Sequence, residues 1–521
     1  MSTFVAPSVD WAALTPVLLV LGAAVVGVLI EAFVPRGSRR PAQLILGLLA
    51  TAAALVAVVW RWTVVQDTGP RELVSGALIE DGPALAVQAI LALFGLLALL
   101  VIADRTESGE GAFVAQAATR PGSTDEADAT RAGMAQTEVF PLTLFTLAGM
   151  MVFAAAGDLL TLFVALEVLS LPLYVLSGLA RRRRLLSQEA SLKYFLLGAF
   201  ASAFVIFGIG LLYGYSGTVR LSGLAQSVPA TAGMDWLLLA GVIMVLTGLL
   251  FKVGAVPFHA WTPDVYQGAP TPITGFMAAA TKIAAFAALL RFVYVVLPGM
   301  SWDLQPVMWV IIILTMLVGT VLGIVQTDIK RMLAYSSIAH AGFVLIGVMS
   351  LRSAGISGVI FYLLAYGLAT VGAFALITLV RERDTAGNVT GEATHLSQWA
   401  GLGRRSPAVA VGMVIFLLSF AGIPLTAGFI GKFAVFSAAV DGGGAVLVVL
   451  AVLASAATAF FYVRLVVLMF FTEPDGETTA VVSSEGLTSV AVAVCVVGTV
   501  LLGVLPGPVL ALADQAAVFL P

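Results

Sequence analysis

The sequence is poor in the residues that build disulfides, metal centres and water-facing surfaces. Its 521 residues include one Cys, three His and 11% charged residues, with a net charge of −3. The single Cys495 excludes a disulfide framework and a four-cysteine zinc or iron–sulfur site within the chain. The histidines lie far apart, at His259, His340 and His395, which argues against a metal centre. Glycine-rich phosphate-binding patterns are missing and the basic residues are scattered. We therefore expect no cofactor in this chain and no nucleic-acid partner.

Hydrophobic residues make up 60% of the chain and come in long blocks between charged or turn-rich breaks. Soluble domains carry about 25% charged residues, whereas about 20 apolar residues cross the hydrocarbon layer of a membrane. The blocks predict an all-α polytopic membrane protein, with about fourteen transmembrane helices in the bilayer. The predicted spans are 13–33, 42–62, 83–103, 139–156, 158–179, 190–215, 236–257, 272–297, 306–326, 331–350, 355–380, 405–438, 443–471 and 487–506. The block at 405–438 is too long for one simple span, so we expect a helix interrupted at its centre.

The basic residues are distributed unevenly between the predicted loops. Sixteen Lys and Arg residues fall in odd-numbered loops, four in even-numbered loops and six inside helices. Because loops rich in Lys and Arg stay on the cytoplasmic side, we expect the odd-numbered loops to face the cytoplasm and both termini to lie outside. Segment 104–138 is then a long cytoplasmic loop or an interaction surface, and Asp328, Lys330 and Arg331 form a solvated cytoplasmic turn.

Ionisable residues inside the apolar blocks are the strongest functional signal. Four of the five lysines lie within such blocks, at Lys193, Lys252, Lys282 and Lys432, and Glu167 lies roughly 13 Å into the fifth helix. A charge near the bilayer midplane costs at least ~2.5 kcal/mol. Arginine is effectively always protonated, whereas a buried lysine can lose its proton near neutral pH. The arrangement predicts a chain of proton-carrying sites in which each lysine responds to its charged neighbours.

These residues also have a structural explanation. Lysines can extend to the membrane surface or form static ion pairs between helices. This alternative fits Lys193 best, because Lys193 lies near the start of its helix. Lys282 and Lys432 lie too deep to reach the surface easily. Arg291 and Arg464 fit equally well as anchors at helix ends.

His340 lies nine residues into the tenth helix, near mid-depth. An imidazole titrates near pH 6.5 and can bridge two lysine sites, although a histidine packed with satisfied hydrogen bonds is the alternative. His259 follows the seventh helix closely and could gate, cap or relay, and His395 lies in a loop with no predicted role.

Two predicted helices carry glycine and proline where a helix should continue. The seventh reads LLFKVGAVPFHAWTPD around Lys252 and Pro257, and the twelfth reads LLSFAGIPLTAGFIGKF around Pro424 and Lys432. Proline removes a helical hydrogen bond, and broken backbone at membrane depth is tolerated only where it lines a cavity or lies within protein. Pro257, His259 and Pro424 are therefore candidate gating residues.

The two breaks lie five helices apart, which predicts a five-helix repeat covering the fourth to eighth and the ninth to thirteenth helices. Because five is odd, consecutive copies have opposite orientation, as in many ion transporters. The predicted organisation is an N-terminal part at 1–138, a first repeat at 139–297, an inverted second repeat at 306–471, and a C-terminal helix and tail at 487–521.

Three stretches carry a family resemblance: FKVGAVPFHAWTPDVYQGAPTPITGFMAAATK, DIKRMLAYSSIAHAGF and FAGIPLTAGFIGKF. Together with Glu167 and EASLKYFLLGAF, they resemble the antiporter-like membrane subunits of respiratory complex I, over nearly the whole chain. Among these subunits the chain is most similar to the N type, because Lys432 stands where the M type typically has glutamate. We also expect no long lateral helix of the L type after the fourteenth helix.

The resemblance implies a proton-translocating subunit of a bacterial NADH–quinone oxidoreductase, which is a respiratory enzyme of the plasma membrane. It implies that NADH oxidation, FMN, iron–sulfur clusters and quinone reduction belong to partner subunits, and that neighbours include other antiporter-like subunits. In this family the glutamate of the fifth helix pairs with the lysine of the seventh, which here would be Glu167 and Lys252. The matching positions of the sixth, eighth and twelfth helices are Lys193, Lys282 and Lys432.

Two other functions stay open at this point. A subunit of an Mrp-type Na⁺/H⁺ antiporter shares the same motifs and helix count. A membrane scaffold with inert ion pairs is a third interpretation.

Overall fold

The computed structural model describes residues 9–106, 136–229, 235–383, 389–474 and 479–520, together with residues 109, 111–114, 119, 123–131 and 134. Helices account for most of this part of the chain, and the strands in it are short. The predicted all-α membrane fold class is confirmed.

The N-terminal part is built from α1 (Trp11–Phe33), α2 (Arg36–Thr68) and α3 (Gly82–Ala103). Asp10 and Asp81 start α1 and α3 by accepting hydrogen bonds from backbone N–H groups three residues later. These caps satisfy donors that the first turn of a helix leaves free. A hairpin of β1 (Arg71–Leu73) and β2 (Leu78–Glu80) joins α2 to α3, and α4 (Thr124–Arg131) lies within the segment predicted to be a loop.

The next part contains the first interrupted helix. Its helices are α5 (Val139–Ala155), α6 (Leu159–Ser177), α7 (Arg184–Ser216), α8 (Leu221–Ser227), α9 (Asp235–Val253), α10 (Trp261–Gly268), α11 (Thr271–Phe276) and α12 (Lys282–Val296). A π-helical turn, Met277–Thr281, joins α11 to α12. The break predicted in the seventh helix lies between α9 and α10, where Gly254 has a φ of +77°. Gly254 suits this position because residues with a Cβ rarely adopt such a conformation.

The remaining part contains the second interrupted helix. Its helices are α13 (Ser301–Ile324), α14 (Ile329–Val348), α15 (Ser353–Leu379), α16 (Leu402–Arg405), α17 (Pro407–Ala421), α18 (Ala427–Asp441), α19 (Ala445–Phe471), α20 (Leu487–Val504) and α21 (Gly507–Ala516). The predicted block at 405–438 is divided into α17 and α18, as expected. A three-stranded antiparallel sheet has the order β4-β3-β5, with β3 (Val380–Arg383), β4 (Val389–Glu392) and β5 (Thr479–Val481).

Among the described residues, twelve helices are long and apolar enough to cross a membrane, and each falls on one of the predicted spans. The two remaining predicted spans contain the shorter apolar helices Val139–Ala155 and Pro407–Ala421. The exact count of fourteen, the five-helix repeat and the division into four parts stay predictions.

Three helices form the centre of the described structure. In the most apolar stretch of 271–296 every residue is buried. The corresponding share of buried residues is 94% in α14 and in α15, but only 28% in α19. Outer helices expose large apolar side chains, for example Phe200 and Val449, as expected for surfaces that meet lipid or neighbouring subunits. Polar groups on the central helices are therefore shielded from lipid.

The prediction that Lys330 lies in a solvated turn is wrong, because its side chain is buried. Lys330 is 2% exposed, and its Nζ donates to the carbonyl oxygen of Ala269 at 2.8 Å and to Oγ1 of Thr271 at 3.0 Å. The reason is that α14 begins at Ile329, with Asp328 as its capping residue. The side chain of Lys330 therefore leaves the first turn of a buried helix and lies within the protein.

The two arginines predicted as helix-end anchors differ. Arg464 does anchor a helix end, because it donates to the carbonyl oxygens of Ile324 and Gln326 at 2.9 and 2.5 Å. Arg291 instead forms a buried ion pair with Asp81, with both nitrogen–oxygen distances below 3 Å (2.8 and 2.9 Å). That pair connects α12 to the start of α3.

Candidate functional site

Lys252 lies in the last turn of α9, directly before the first break. Its side chain is buried, and Nζ donates to the hydroxyl of Tyr194 at 3.3 Å. Nζ also lies 5.0 Å from the ring centre of Tyr194 and 5.6 Å from that of Tyr174, where aromatic rings attract a cation. Helices α7 and α9 can approach closely because a Cβ on Gly208 would lie 2.8 Å from the carbonyl oxygen of Gly241.

Glu167 lies half-buried on α6, and the hydroxyl of Ser202 donates a hydrogen bond to its carboxylate. Nζ of Lys252 donates its hydrogen bond to the hydroxyl of Tyr194 instead. The pairing of Glu167 with Lys252 that the family resemblance implies is therefore not a direct contact in this structure.

Lys193 lies in a different environment from the other predicted lysines. Its side chain is 42% exposed and forms ion pairs with Glu189 at 2.6 Å and Asp264 at 2.7 Å. Asp264 also accepts a hydrogen bond from Arg331 at 2.7 Å. Burial alone would raise the pKa of Asp264, but the hydrogen bonds from Lys193 and Arg331 outweigh it, so the pKa lies below its ordinary value. This geometry favours the static interhelical ion pair that was the alternative for Lys193.

Lys282 begins α12, directly after the π-helical turn. Such turns are rare and often occur at functional sites. The buried Nζ donates to both the carbonyl oxygen and the hydroxyl of Ser337 at 2.5 Å, and it lies 5.7 Å from the ring centre of Tyr366. Lys282 therefore contacts α14 and α15, the two other central helices.

Aromatic side chains connect the surroundings of Lys252 with those of Lys282. Trp261 stacks on Tyr194 with ring centres 4.7 Å apart, and its ring lies edge-to-face with Tyr266 at 6.3 Å. The hydroxyl of Tyr266 lies 3.5 Å from that of Ser337, the partner of Lys282. The two lysines are thus joined through three rings and one serine.

His340 is buried on α14 and is hydrogen-bonded on both ring nitrogens. Nδ1 lies 2.7 Å from the hydroxyl of Tyr362, and Nε2 lies 3.2 Å from the hydroxyl of Tyr462. The imidazole centre lies 5.0 Å from the ring centre of Tyr366 and 5.6 Å from that of Phe343. Since Tyr366 also faces Lys282, one ring separates the lysine from the histidine.

Lys432 lies on α18, shortly after the second break. Its Nζ donates to the carbonyl oxygens of Phe420 and Ala421 at 2.8 and 3.0 Å and to the hydroxyl of Ser455 at 2.7 Å. These carbonyls end α17, and the end of a helix attracts a positive charge. Nζ also lies 5.0 Å from the ring centre of Phe343, which packs against His340.

The three buried lysines share one electrostatic property. Among the described residues, the ion pairs of the protein involve Arg61, Arg291 and other cations, but not Lys252, Lys282 or Lys432. Their partners are hydroxyls, carbonyl oxygens and aromatic rings. A buried ammonium group that forms no direct ion pair is costly, so its proton can leave.

The predicted gating residues lie at the two breaks. Pro257 and His259 lie between α9 and α10, and the Val256–Pro257 peptide is cis. Nδ1 of His259 is buried and has no hydrogen-bond partner among the described residues. Pro424 lies between α17 and α18, where the neighbouring Gly422 and Leu425 both have positive φ angles. A gating role for the three residues stays a prediction.

Sequence reasoning missed the hydroxyl groups around the predicted sites. The missed residues are Tyr194, Tyr266, Ser337, Tyr362 and Tyr462, which bond to a lysine or histidine or join two such sites. Within the described part of the chain, no group of three or more His, Cys, Asp or Glu residues is placed to hold a metal ion. The expectation that cofactors belong to partner subunits stays a prediction.

Comparisons with known proteins agree on one family. Residues 156–458 match the family described as NADH:quinone oxidoreductase/Mrp antiporter, TM. The chain is 64% identical to NADH-quinone oxidoreductase subunit N of Beutenbergia cavernae, over 99% of both chains. It is 32% identical to a chain of respiratory complex I from Thermus thermophilus, with a TM-score of 0.76 over 96% of this chain and 99% of that one.

The Mrp complex of a Dietzia species contains a chain with a similar fold. Its TM-score is 0.79, and the match covers 98% of this chain and 97% of that one, but the identity is 22%. That likeness shows a common fold only. The chain therefore belongs to the family of NADH-quinone oxidoreductase N subunits.

Proposed function

We propose that this chain is a proton-translocating membrane subunit of a bacterial NADH-quinone oxidoreductase. Protons pass through half-buried Glu167 and the buried residues Lys252, Lys282, His340 and Lys432, and redox energy released in partner subunits drives them. The observation that carries this proposal is a set of three buried lysines that form no direct ion pair within the described residues and are joined through hydroxyls and aromatic rings.

The chemistry of each site fits proton transfer. A neutral lysine accepts a proton on Nζ and an ammonium group donates one, while the hydroxyls beside it can do both. His340 lies with hydroxyls on both nitrogens, so a proton arriving on one side can be matched by the loss of a proton on the other. In the proposed order, His340 connects Lys282 to Lys432 past the rings of Tyr366 and Phe343.

The energy for transport must come from outside this chain. Moving one charge across a membrane costs about 2.3 kcal/mol per 100 mV, and a row of titrating side chains supplies none of it. Partner subunits that hold FMN and iron–sulfur clusters and reduce quinone would supply it, which agrees with the single Cys495 of this chain. We expect other complex I subunits, including antiporter-like ones, beside this chain in the plasma membrane, with its termini outside.

A subunit of an Mrp-type antiporter is the second candidate function. The shared fold supports it, but the 22% identity to the Mrp chain is far below the 64% identity to an N subunit. Polypeptides that copurify with this chain in mild detergent distinguish the two. Flavin and iron–sulfur subunits are expected, and small antiporter subunits in their place would overturn the proposal.

Pumping in vesicles tests the relay itself. Inverted membrane vesicles with the Lys282→Met variant should oxidise NADH with a soluble artificial electron acceptor but lose NADH-driven proton uptake, by about tenfold or more. Uptake at the wild-type rate in assembled Lys282→Met vesicles would contradict the proposal. Arg404→Gln is a matched control, because Arg404 is an exposed cation whose ion pair with Glu473 spans 3.8 Å.

A further inference from the structure

Lys330 is a buried cation that the relay described above does not use. Its Nζ donates to the carbonyl oxygen of Ala269 and to Oγ1 of Thr271. Thr271 also donates a hydrogen bond to the carboxylate of Glu392, and Oε2 of Glu392 lies 4.0 Å from Nζ of Lys330. Lys330, Thr271 and Glu392 form one polar group, which we name the Lys330 cluster.

A cavity of about 620 Å³ borders the Lys330 cluster. Lys330 and Glu392 both line it, on the side of the molecule where Arg182 and Arg383 also lie. A water molecule occupies about 30 Å³ of liquid, so the cavity has room for many waters. The side chain of Glu392 is 18% exposed and that of Lys330 is 3% exposed. The carboxylate therefore meets water first, and the amine lies behind it.

The Lys330 cluster lies at one end of a seam between two central helices. Lys330 and Ser337 are seven residues apart on α14, so they share a face and are separated by about 10 Å along the axis. At the other end of the seam, Ser337 accepts the hydrogen bonds of Lys282. The continuous helical segment 271–296 supplies both Thr271 and Lys282. Both lysines therefore lie where this segment packs against α14.

Polar groups lie along this seam. The hydroxyl of Thr274 donates to the carbonyl oxygens of Tyr266 and Ala269 at 3.2 and 3.4 Å, and Ala269 is also the acceptor for Lys330. The hydroxyl of Tyr266 lies 3.5 Å from that of Ser337. The hydroxyls of Thr274 and Tyr266 can both accept and donate a proton, whereas the carbonyl oxygens only accept hydrogen bonds.

We propose that Lys330 is the cytoplasmic loading residue of the relay, an inference that rests on the function proposed above. Glu392 takes a proton from cavity water and passes it past Thr271 to neutral Lys330, which leaves a carboxylate beside an ammonium group. Lys330 then releases that proton along the seam to neutral Lys282, and Glu392 takes the next one.

A purely structural role for Lys330 has a different requirement. Since Ala269 is the C-terminal capping residue of α10, a fixed positive charge at its carbonyl oxygen would stabilise that helix end just as well. Lys330→Arg keeps the charge but cannot release a proton under physiological conditions. The arginine variant therefore separates proton loading from helix capping.

The first experiment measures NADH-driven proton uptake by inverted vesicles that contain the whole complex. Lys330→Arg and Lys330→Met should both retain oxidation of NADH with an artificial acceptor and lose proton uptake by about tenfold, whereas Arg404→Gln should not. Uptake at the wild-type rate in Lys330→Arg would overturn the loading role. If Lys282→Met also pumped normally, the proposed function would fail as well, so the two failures can be told apart.

The second experiment covers the case in which arginine does not fit the buried site. Lys330→Cys is placed in a Cys495→Ala background, and vesicles are treated with an aminoethyl or a trimethylammonium-ethyl thiosulfonate. Both reagents add a positive charge, but only the amine can release a proton. We expect the amine alone to restore uptake. Equal restoration by both reagents, or by neither when mass spectrometry shows modification, would overturn the loading role.

Discussion

Lys432 donates a hydrogen bond from Nζ to the carbonyl oxygen of Phe420 at 2.8 Å, across the break between α17 and α18. The break leaves the last carbonyl groups of α17 without helical partners, and the lysine that follows it satisfies two of them. Lys252 lies at the corresponding place before the other break, in the last turn of α9. In both places, interrupted backbone and a buried amine occur together, but only Lys432 bonds to the freed carbonyls, whereas Lys252 bonds to the hydroxyl of Tyr194.

Removing the first lysine or its glutamate should stop transport without preventing assembly. Lys252→Ala or Glu167→Ala should abolish NADH-driven proton uptake, because each removes one proton-carrying site from the relay. The purified complex should keep its subunit composition and its oxidation of NADH with an artificial acceptor. Normal pumping in either assembled variant would rule out the assignment of these residues.

The hydroxyl of Tyr194 should matter independently of its ring. Tyr194→Phe keeps the stacking on Trp261 and the ring beneath Lys252, but it removes the 3.3 Å hydrogen bond. We expect proton uptake to fall by roughly tenfold while assembly is unchanged. Tyr213→Phe is the matched control, since Tyr213 lies on the same helix with an exposed side chain. An equal response of the two variants would show that the hydroxyl of Tyr194 has no special role.

Glycine at 422 should be required for the second break. Its φ is +80°, and a Cβ there would lie 2.9 Å from Cδ of Lys432. Gly422→Ala should cost about 1–2 kcal/mol through backbone strain and displace the lysine, which lowers both the melting temperature of the complex and proton uptake. In Gly210→Ala, by contrast, the added Cβ meets nothing within 4 Å. If both alanine variants had the melting temperature and the proton uptake of the wild type, the close fit at Gly422 would not be needed for function.

The ion pair between Arg291 and Asp81 should contribute to stability. Both side chains are buried, so Arg291→Met leaves an unpaired carboxylate, which typically destabilises a protein by about 3–5 kcal/mol. Thermal unfolding of the purified complex should show a lower melting temperature. The double variant Arg291→Met/Asp81→Asn should recover much of the loss, because no charge is left unpaired and asparagine can still cap α3. A single variant as stable as the wild type would contradict this assignment.

The sequence predicts the fold class and the main ionisable sites because these signals are local. A lysine inside an apolar block, such as Lys282 or Lys432, is costly, so its presence alone marks the position. Glycine and proline near Lys252 and Pro424 mark the breaks in the same way. The fold class therefore follows from hydrophobicity and helix chemistry, while the depth of each lysine in the membrane stays a prediction.

Other features depend on contacts between distant segments and leave no local signal. Lys330 stands beside Asp328 and Arg331, where charges are ordinary for a loop, and its burial arises only because α14 packs on the α10–α11 connection. Tyr194 and Tyr266 read as packing residues of apolar helices, although their hydroxyls meet polar partners. The ion pair of Lys193 likewise depends on Asp264, which is 71 residues away in sequence.

The central claim is that buried lysines gain and lose protons during turnover, and Lys282→Arg tests it most directly. Arginine keeps the positive charge beside Ser337 but does not release its proton. Proton uptake by inverted vesicles, normalised to NADH oxidation with an artificial acceptor, should fall to the level of Lys282→Met. An arginine variant that pumps at the wild-type rate would contradict the account.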